Sequence, residues 1–224
     1  SNLLDEYVGG IPATIVTGWS AQRTSTLALA TIAHSAGHVA REVRASHKAY
    51  LVQDDERVFH PLSDASVRAE NSYSYGLHHL TIGNWLTHLV RQKYGVSAYP
   101  AGFGIDTGVY KLTDDFDREQ AICILYQPEK TRRASELALR AAEIVKQIRP
   151  ETTLYVYGSH HTPNLDCQHV NLGIVNDLSE LNALYNRCRA GICLSLSNPS
   201  RIPFEMAAAG CRPVDLYRYN NLLD

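Results

Sequence analysis

Short β-rich runs alternate with longer helical patterns along nearly the whole chain. This alternation is typical of βαβ units, in which consecutive strands lie parallel and helices cover the sheet. The runs predict strands at 13–17, 49–53, 79–82, 122–126, 152–157, 171–174, 190–194 and 213–216. The sequence therefore predicts an α/β protein with parallel sheets.

Helical patterns occupy most of the intervals between these strands. They predict helices at 26–36 (ending at Gly37), from Asn84 to Gly95, at 132–148, from Asp177 onward, and at about 200–209. Asn84 is a preferred N-cap residue, and Gly95 suits the left-handed position after a helix. The stretch between the second and third strands has no clear pattern, and we expect it to be irregular.

A loop with three glycines and one proline interrupts the pattern between Pro100 and Gly108. Loops of this composition connect domains. We expect two doubly wound, Rossmann-like domains: an incomplete N-terminal domain (1–100), a linker (101–110) and a C-terminal domain truncated at its end (111–224). The chain begins without a methionine and stops soon after a strand, so we expect it to be a piece of something longer.

The composition argues against several classes of function. A net charge of −2 and a pI near 6.5 give no reason to expect binding to nucleic acid. No run approaches the roughly 18 apolar residues of a membrane span, and no secretory signal is present. The five cysteines are scattered without a CxxC pair, which predicts reduced structural thiols and a cytoplasmic location.

Two histidine pairs, His78–His79 and His160–His161, are the candidates for metal ligation. Neither pair has the i, i+4 spacing that brings two ligands to one face of a helix, and neither has an acid partner nearby. We therefore expect polar loop histidines and no metal site.

The most informative stretch is 195–214, where a strand leads through a polar loop into a short helix. Free N–H groups and the dipole at a helix start can bind phosphate. Ser200 can cap this helix, Pro203 fits its first turn, and the Glu205 carboxylate can accept hydrogen bonds from sugar hydroxyls. The alternative is an ordinary amphipathic helix whose early acid is favoured by the dipole, and the residue types leave both interpretations open.

Three cations, Lys130, Arg132 and Arg133, follow the predicted strand at 122–126. A helix start is slightly unfavourable for cations unless an anion balances them. Because an arginine fork matches phosphate oxygens, the cluster is either a diphosphate clamp or a solvated surface.

An acidic run, Asp54-Asp55-Glu56, follows the second strand. Neighbouring carboxylates at a strand end rarely face each other, which argues against the acid pair of a glycosidase. We expect a solvated turn, with a functional role for Asp54 as the alternative.

Several segments resemble family 4 retaining glycosyltransferases, which have the GT-B fold. Residues 204–214 resemble the L-E-A-M-A-C-G-x-P-V signature of that family. Residues 177–185 are similar to its s-x-x-E-L-x-x-L-Y helix, and Gly173 to the glycine before that helix. Segments 80–86 and 99–106 resemble its strand-to-helix entry and its x-P-x-G-V-D linker.

The resemblance covers about residues 50–217, in the order and spacing of the family. A narrower resemblance is to the WsaF-like rhamnosyltransferases of rhamnan synthesis. The segments 52–56, 69–76, 126–133 and 198–206 are similar to motifs of that subgroup.

The resemblance implies an enzyme with two Rossmann-like domains that face a cleft. It implies retaining, metal-independent transfer of a hexose or deoxyhexose, such as rhamnose, from a nucleotide-diphosphate donor. The acceptor is expected to be a glycan or a lipid-linked molecule in cell-surface polysaccharide synthesis. No cofactor is expected, and peripheral association of the full-length protein with a membrane stays open.

The resemblance also implies roles for individual residues. Glu205 and Arg133 are expected to stabilise the leaving group and the donor, and Asp54 is expected on the acceptor side. The diphosphate is expected over the loop at 198–201, the ribose hydroxyls at Glu205, and the base against the backbone of 172–175. The expected donor-binding residues are Lys130, Arg132, Arg133, Gly173, Ile174, Ser197, Asn198, Ser200, Arg201 and Glu205.

Two positions depart from the family pattern. Ser197 stands where family 4 has a first glutamate, and Gln127 stands where a basic residue follows the first strand of the donor domain. A non-catalytic sugar-nucleotide-binding module and a GT-B sugar-nucleotide epimerase therefore stay open as alternatives.

Overall fold

The computed structural model of the protein describes residues 18–19, 24–114 and 118–224, so the strand predicted at 13–17 lies outside the described residues. The strands are β1 Ser25–Ala30, β2 Ala45–Val52, β3 His78–Thr81, β4 Ala98–Pro100, β5 Ala121–Leu125, β6 Thr153–Tyr157, β7 Val170–Gly173, β8 Ala190–Ile192 and β9 Arg212–Val214. The helices are α1 Ala33–Arg41, α2 Asp64–Ser72, α3 Asn84–Tyr94, α4 Ser135–Ile148, α5 Leu178–Arg187, α6 Ile202–Ala208 and α7 Tyr219–Leu222. Short 3-10 turns lie at Glu56–Phe59 and Thr131–Arg133.

The first sheet has the strand order β1-β2-β3-β4, and all neighbouring strands are parallel. Consecutive right-handed crossovers that move in one direction place their helices on the same side of a sheet. Accordingly α1, α3 and the end of α2 share one core with Tyr50 and Val52 of β2. On the opposite face Leu27, Leu29 and Leu80 are exposed in this chain.

The second sheet has the order β7-β6-β5-β8-β9, and it is also parallel throughout. From the central β5 the chain moves outward through β6 and β7, and then returns to β8 on the other side of β5. Cys123 and Leu125 of β5 face a core with α5 and α6, whereas Ile124 and the adjacent Tyr126 face a core with α4. This sheet is therefore doubly wound, and its strand order reverses between β5 and β8.

Helix α6 packs closely on this sheet because β8 carries a glycine at the contact. A Cβ atom on Gly191 would lie 2.5 Å from Sδ of Met206 in α6 and 2.9 Å from Sγ of Cys123 in β5. Both of those side chains are fully buried, so neither can move into solvent. The contact sets the position of α6, which carries Glu205, relative to β8.

The helix predicted at 26–36 is wrong in its first half. Ser25–Ala30 is a strand that pairs in parallel with β2, and α1 begins at Ala33 and continues past Gly37. A short apolar run fits either a strand or a helix, and here the pairing with β2 decided between them.

Three elements are missed by the sequence patterns: α2, β4 and the short helix α7 near the end of the chain. The stretch expected to be irregular contains α2, which starts with a capping box: the Ser66 N–H donates to Ser63 Oγ (3.4 Å), and the Ser63 N–H donates to Ser66 Oγ (2.8 Å). A capping box is usually recognised by Glu or Gln at the third helical position, and serine hides it here. Strand β4 is only three residues long. The division into 1–100, 101–110 and 111–224 stays a prediction.

We expect Gly191→Ala to lower the free energy of unfolding by about 1–3 kcal/mol, because the added methyl group overpacks a closed core. Urea denaturation measures the change. Gly104→Ala is the matched control, since a Cβ atom at Gly104 meets nothing within 4 Å. An equal effect of the two substitutions would contradict the close packing of α6.

Candidate functional site

The loops that follow β5 (126–134) and β8 (193–201) lie side by side at the carboxyl end of the second sheet. Ligands of open α/β sheets bind in the crevice where the strand order reverses. A backbone hydrogen bond joins the two loops, in which the Leu196 N–H donates to the carbonyl oxygen of Arg132 (2.8 Å). The fold therefore brings the predicted diphosphate-binding segments, 130–133 and 198–201, to one place.

Arg133, in the β5 loop, is a buried cation that forms no ion pair in the described part of the chain. Its Nη1 lies 3.5 Å from the carbonyl oxygen of Pro199, and its buried Nε has no hydrogen-bond partner. Burial and then the charge of Arg132 lower the pKa of the guanidinium, while Asp54 and Asp215 oppose this shift. Since arginine stays protonated in proteins, the loop holds a buried positive charge that no carboxylate contacts directly, although Asp54 and Asp215 act on it from a distance.

Arg132, in contrast, is neutralised by the first sheet. Its guanidinium carbon lies 4.2 Å from the ring centroid of Phe59, and its Nε lies 3.2 Å from Asp54 Oδ2. The pair with Asp54 lacks hydrogen-bond geometry, because Nε has no hydrogen-bond partner. Arg132 therefore holds the β5 loop against the residues that follow β2.

Asp54, after β2, directs its carboxylate at the β8 loop. Oδ1 accepts from the Asn198 N–H (3.0 Å), and Oδ2 accepts from Ser197 Oγ (3.1 Å). Burial raises the pKa of Asp54 more than the hydrogen bonds of Asn198 and Ser197 lower it. The solvated turn predicted here is wrong: Asp54 is 8 % exposed beneath the loop of the other sheet, and Asp55 is 2 % exposed, with its carboxylate bound by the Arg57 guanidinium.

Asn198 completes an inter-sheet clasp, which consists of Asp54, Ser197 and Asn198. The side-chain amide of Asn198 donates to the carbonyl oxygens of Gln53 and Ile82, both at 3.0 Å. These carbonyls lie just beyond β2 and β3, so the β8 loop is docked on the carboxyl end of the first sheet. The backbone N–H of Asn198 is occupied by Asp54, and Ser197 is fully buried.

Two residues that the sequence analysis did not single out, Asp215 and Asn220, form hydrogen bonds with the backbone of the β8 loop. Asp215 Oδ1 accepts from the Ser195 N–H (2.8 Å), and the Asn220 amide donates to the carbonyl oxygens of Ser195 (3.4 Å) and Ser197. Asp215 follows β9, and Asn220 lies in α7, in a polar run for which the sequence patterns predict no helix. Only the contact with a distant loop distinguishes them.

Helix α6 begins at Ile202, two residues later than expected, and has seven residues. Ser200 does not act as the N-cap: it has a left-handed φ of 76°, and its Oγ accepts from the Ile202 N–H (3.4 Å). Pro203 lies in the first turn, as predicted. Arg201 Nε lies 3.9 Å from Glu205 Oε1, and burial raises the pKa of Glu205 while Arg201 lowers it.

Gly173 ends β7 with a positive φ of 62°. Its N–H donates to Asn171 Oδ1 (3.0 Å), and its carbonyl oxygen accepts from the Gly158 N–H (2.7 Å). The N–H and the carbonyl group of Gly173 are therefore both engaged within the protein. Ile174, the next residue, is exposed and can contact a ligand. In the described ranges, no hydrogen bond joins this segment to the β5 or β8 loop.

Lys130 stands at the start of the 3-10 turn that carries the two arginines. Partial burial, and then the charges of Arg132 and Arg133, lower the pKa of its ammonium group. Three cations in one turn repel each other, so an anion bound there relieves the repulsion.

Comparison of the sequence with protein families finds one matched region that contains both the β5 and the β8 loop. Residues 120–222 match the family described as the C-terminal domain of WsaF, and this range contains both loops. Over 193 residues the chain is 28 % identical to the O-antigen biosynthesis protein RfbC of Myxococcus xanthus, covering 82 % of this chain and 15 % of RfbC.

Solved structures share the fold. TarM matches with a TM-score of 0.67 at 10 % identity, over 88 % of this chain and 43 % of TarM. The pneumococcal O-GlcNAc transferase GtfA, solved with UDP and GlcNAc, matches with a TM-score of 0.60 at 12 % identity, over 84 % of this chain and 40 % of GtfA. The chain therefore spans less than half the length of these two proteins.

The chain has a GT-B fold, and its C-terminal part resembles WsaF. The fold class predicted from the sequence and the resemblance to WsaF-like proteins are thereby confirmed. The predicted roles of single residues stay predictions.

The two histidine pairs differ in their placement. His160 and His161 are exposed loop residues, as expected, but His78 and His79 lie in β3. His79 is fully buried with Nδ1 3.3 Å from the Ser97 carbonyl oxygen, so the prediction of a loop histidine is wrong there. Alternate residues of a strand face the core, and His79 falls on the core side.

No group of three His, Cys, Asp or Glu side chains suited to hold a metal ion occurs in residues 18–19, 24–114 and 118–224. Within the same ranges, no helix combines the length and the apolarity that crossing a membrane requires. All five cysteines are free thiols, and all but the partly buried Cys167 are buried.

The raised pKa of Asp54 makes the clasp dependent on pH. A carboxyl group with a higher pKa in the folded state binds more protons there, so stability falls as the pH rises between the unfolded and folded pKa values. We therefore expect the free energy of unfolding, relative to that of Asp54→Asn, to decrease as the pH rises from about 4 toward neutrality. Urea denaturation of both proteins at several pH values measures this difference.

Ser197→Ala gives a second readout. It removes a hydrogen bond that lowers the pKa of Asp54, so it should widen the pH range over which stability declines. A difference between wild type and Asp54→Asn that does not change with pH would contradict the burial of a carboxylate in the clasp.

Proposed function

We propose that this chain provides the donor site and part of the acceptor side of a glycosyltransferase. The donor is a nucleoside-diphosphate hexose or deoxyhexose, such as rhamnose. The acceptor is a glycan or a lipid-linked molecule in cell-surface polysaccharide synthesis. The WsaF-like fold, the similarity to RfbC and the transferase named among the structural relatives support the class of reaction.

The observation that carries this proposal is the burial of Arg133 without an ion pair in the described part of the chain. A buried charge without a partner is costly, because it has lost its hydration and gained no counterion. The guanidinium lies at the strand-order reversal of the doubly wound sheet, between two loops that bear further cations. A diphosphate supplies the missing counterion, and its oxygens match the geometry of an arginine fork.

The other cations contribute unequally to this proposed site. Arg132 is already paired with Asp54, so it orients the β5 loop rather than supplying free charge. Lys130 and the exposed Arg201 flank Arg133 on the two loops, and both can approach the phosphates. The helix start contributes less than expected from the sequence, because α6 is short and the Asn198 N–H is occupied.

Retaining transfer without a metal requires the protein to stabilise the departing diphosphate. In this proposal Arg133 and Lys130 offset the charge that develops on the leaving group, and the acceptor attacks the sugar from the same face. Preorganised charges of this kind are worth about 10²–10³ in rate for a single contact. Glu205, early in α6, accepts hydrogen bonds from ribose hydroxyls, and Ile174 contacts the base.

Asp54 keeps its proposed place on the acceptor side, with one restriction. Both of its oxygens are engaged by Ser197, Asn198 and Arg132 in the present arrangement. An acceptor hydroxyl can therefore reach this carboxylate only when the clasp loosens. Until then Asp54 acts as a positioning residue for the β8 loop.

A non-catalytic binding module is the second candidate, and one observation favours it. Ser197, which replaces a glutamate of the family pattern, is fully buried and donates its hydroxyl to Asp54. It therefore makes no direct contact with a donor sugar from this position. Donor binding without turnover in the full-length protein would identify such a module.

We expect nucleoside diphosphates to raise the melting temperature of this chain, and a titration with dTDP, UDP and GDP identifies the base. Binding should be unaffected by EDTA. Arg133→Ala should weaken binding about ten- to a hundredfold, since it removes charge-assisted hydrogen bonds. Arg140→Ala is the matched control, because Arg140 is an exposed arginine of α4 paired with Glu143.

Glu205→Gln separates the two halves of the donor site. It should weaken binding of the nucleoside diphosphates, whose ribose or deoxyribose carries at least one free hydroxyl group, and leave binding of inorganic diphosphate unchanged. Arg133→Ala should weaken binding of both. Unchanged nucleotide binding in both variants would refute the donor site, and loss of binding in EDTA would refute metal independence.

A further inference from the structure

A second site candidate lies on the first sheet and is distinct from the donor loops. The α1–α2 cavity is bounded by α1, the 3-10 turn at Glu56–Phe59 and α2, and its volume is about 740 Å³. Sites for small organic ligands have volumes of roughly 300–1,000 Å³. The cavity is therefore large enough for an oligosaccharide fragment.

Aromatic rings form two walls of this cavity. Trp19 is half exposed, and its indole packs against the imidazoles of His34 and His38 at centroid distances of 5.1 and 4.9 Å. On the opposite wall the guanidinium of Arg41 lies 5.2 Å from the ring centroid of Tyr75. Such rings offer flat apolar faces beside polar edges, which suits the C–H faces and hydroxyl edges of sugars.

A glycine in α1 leaves space for the Arg41 side chain, although glycine lowers the helix propensity of that segment. Gly37 lies inside α1, where glycine is less favourable than alanine. A Cβ atom at Gly37 would lie 2.8 Å from Nη2 of Arg41 and 3.5 Å from Tyr75. The glycine therefore allows Arg41 to lie flat along the helix and across the tyrosine ring.

The charges of the cavity do not select a charged ligand. Arg41 and Arg68 are matched in number by Glu42 and Glu56 in its lining. Glu56 itself is held by the Ala33 N–H at 3.0 Å and by the Tyr50 hydroxyl at 3.1 Å. Together with the imidazoles, these groups offer both donors and acceptors to neutral hydroxyls.

The cavity is connected to the donor site through one side chain. Phe59 lines the cavity, and its ring also lies against Arg132 of the β5 loop. A chain of sugars bound in the cavity would therefore extend toward the proposed site of transfer.

We propose that the α1–α2 cavity binds a neutral oligosaccharide, with one sugar ring on Trp19 and its hydroxyls at Arg41 and Glu56. This inference rests on the proposed transferase function. The cavity then holds the part of the acceptor glycan that lies away from the reacting hydroxyl. Acceptor choice is then decided by α1 and α2 and not by the donor loops.

The test is a titration of this chain with neutral trisaccharides (a rhamnose trisaccharide, mannotriose and maltotriose) and with trigalacturonic acid as a charged comparison. The Trp85→Phe variant leaves Trp19 as the single tryptophan, since the chain has two. We expect at least one neutral trisaccharide to change the Trp19 fluorescence saturably and to bind more tightly than the trigalacturonate. In the wild-type background, Trp19→Ala should abolish the binding measured by saturation-transfer NMR.

Gly37→Ala tests the geometry without deleting a ligand contact. It should displace Arg41 and raise the dissociation constant about tenfold, whereas its melting temperature should not fall, because alanine favours the helix. Gly104→Ala should bind like wild type. No saturable binding of any neutral trisaccharide, tighter binding of the trigalacturonate, or undiminished binding in both Trp19→Ala and Gly37→Ala would overturn the proposal.

Titration of the same samples with the nucleoside diphosphates separates this inference from the proposed function. Retained diphosphate binding with no saccharide binding would overturn the acceptor cavity alone. Saccharide binding with no diphosphate binding would refute the donor site and the transfer role, but not the cavity.

Discussion

The carboxylate of Asp54 is the contact on which the arrangement of the two sheets depends. It accepts hydrogen bonds from Ser197 and Asn198 and pairs with Arg132, so one buried group joins the end of β2 to both loops of the second sheet. A buried ion pair adds little net stability, but removing one partner is costly because the other is left uncompensated. The clasp thus serves mainly to specify how the loops lie.

The clasp also gives the two neighbouring arginines, Arg132 and Arg133, different electrostatic surroundings. Arg132 is balanced by Asp54 and by the face of Phe59, and it has little charge left for a ligand. Arg133, the next residue, contacts a carbonyl oxygen and forms no ion pair in the described part of the chain. Two adjacent arginines therefore have different surroundings: one orients the loop, and the other is the residue that we propose binds an anion. The first sheet, through Asp54, determines which is which.

The fold class could be predicted because the alternation of strands and helices, and the order of the family-like segments, are properties of the sequence. The errors arose where tertiary contacts outweighed local pattern. Ser25–Ala30 became a strand because β2 was available to pair with it. His79 became a core residue because it falls on the inward side of β3. Helix α2 was missed because serine at both ends of its capping box resembles a loop.

The candidate site was predictable to a similar extent. The segments 130–133 and 198–201 were identified from residue type and from position after a strand, and parallel strands bring such ends together. Asp54 was singled out, but its burial was not foreseen, because its partners lie 143 and 144 residues further along the chain. Asp215 and Asn220 carried no signal at all.

By itself, the sequence determined the parallel α/β architecture, the doubly wound second sheet and the positions of the cations, since these follow from periodicity and residue type. The tertiary structure alone decided which cation is neutralised, which backbone groups are occupied and which side chains enclose the α1–α2 cavity. The physical reason is that charge balance and burial depend on distances between residues far apart in the chain. Those distances exist only after the sheets have packed together.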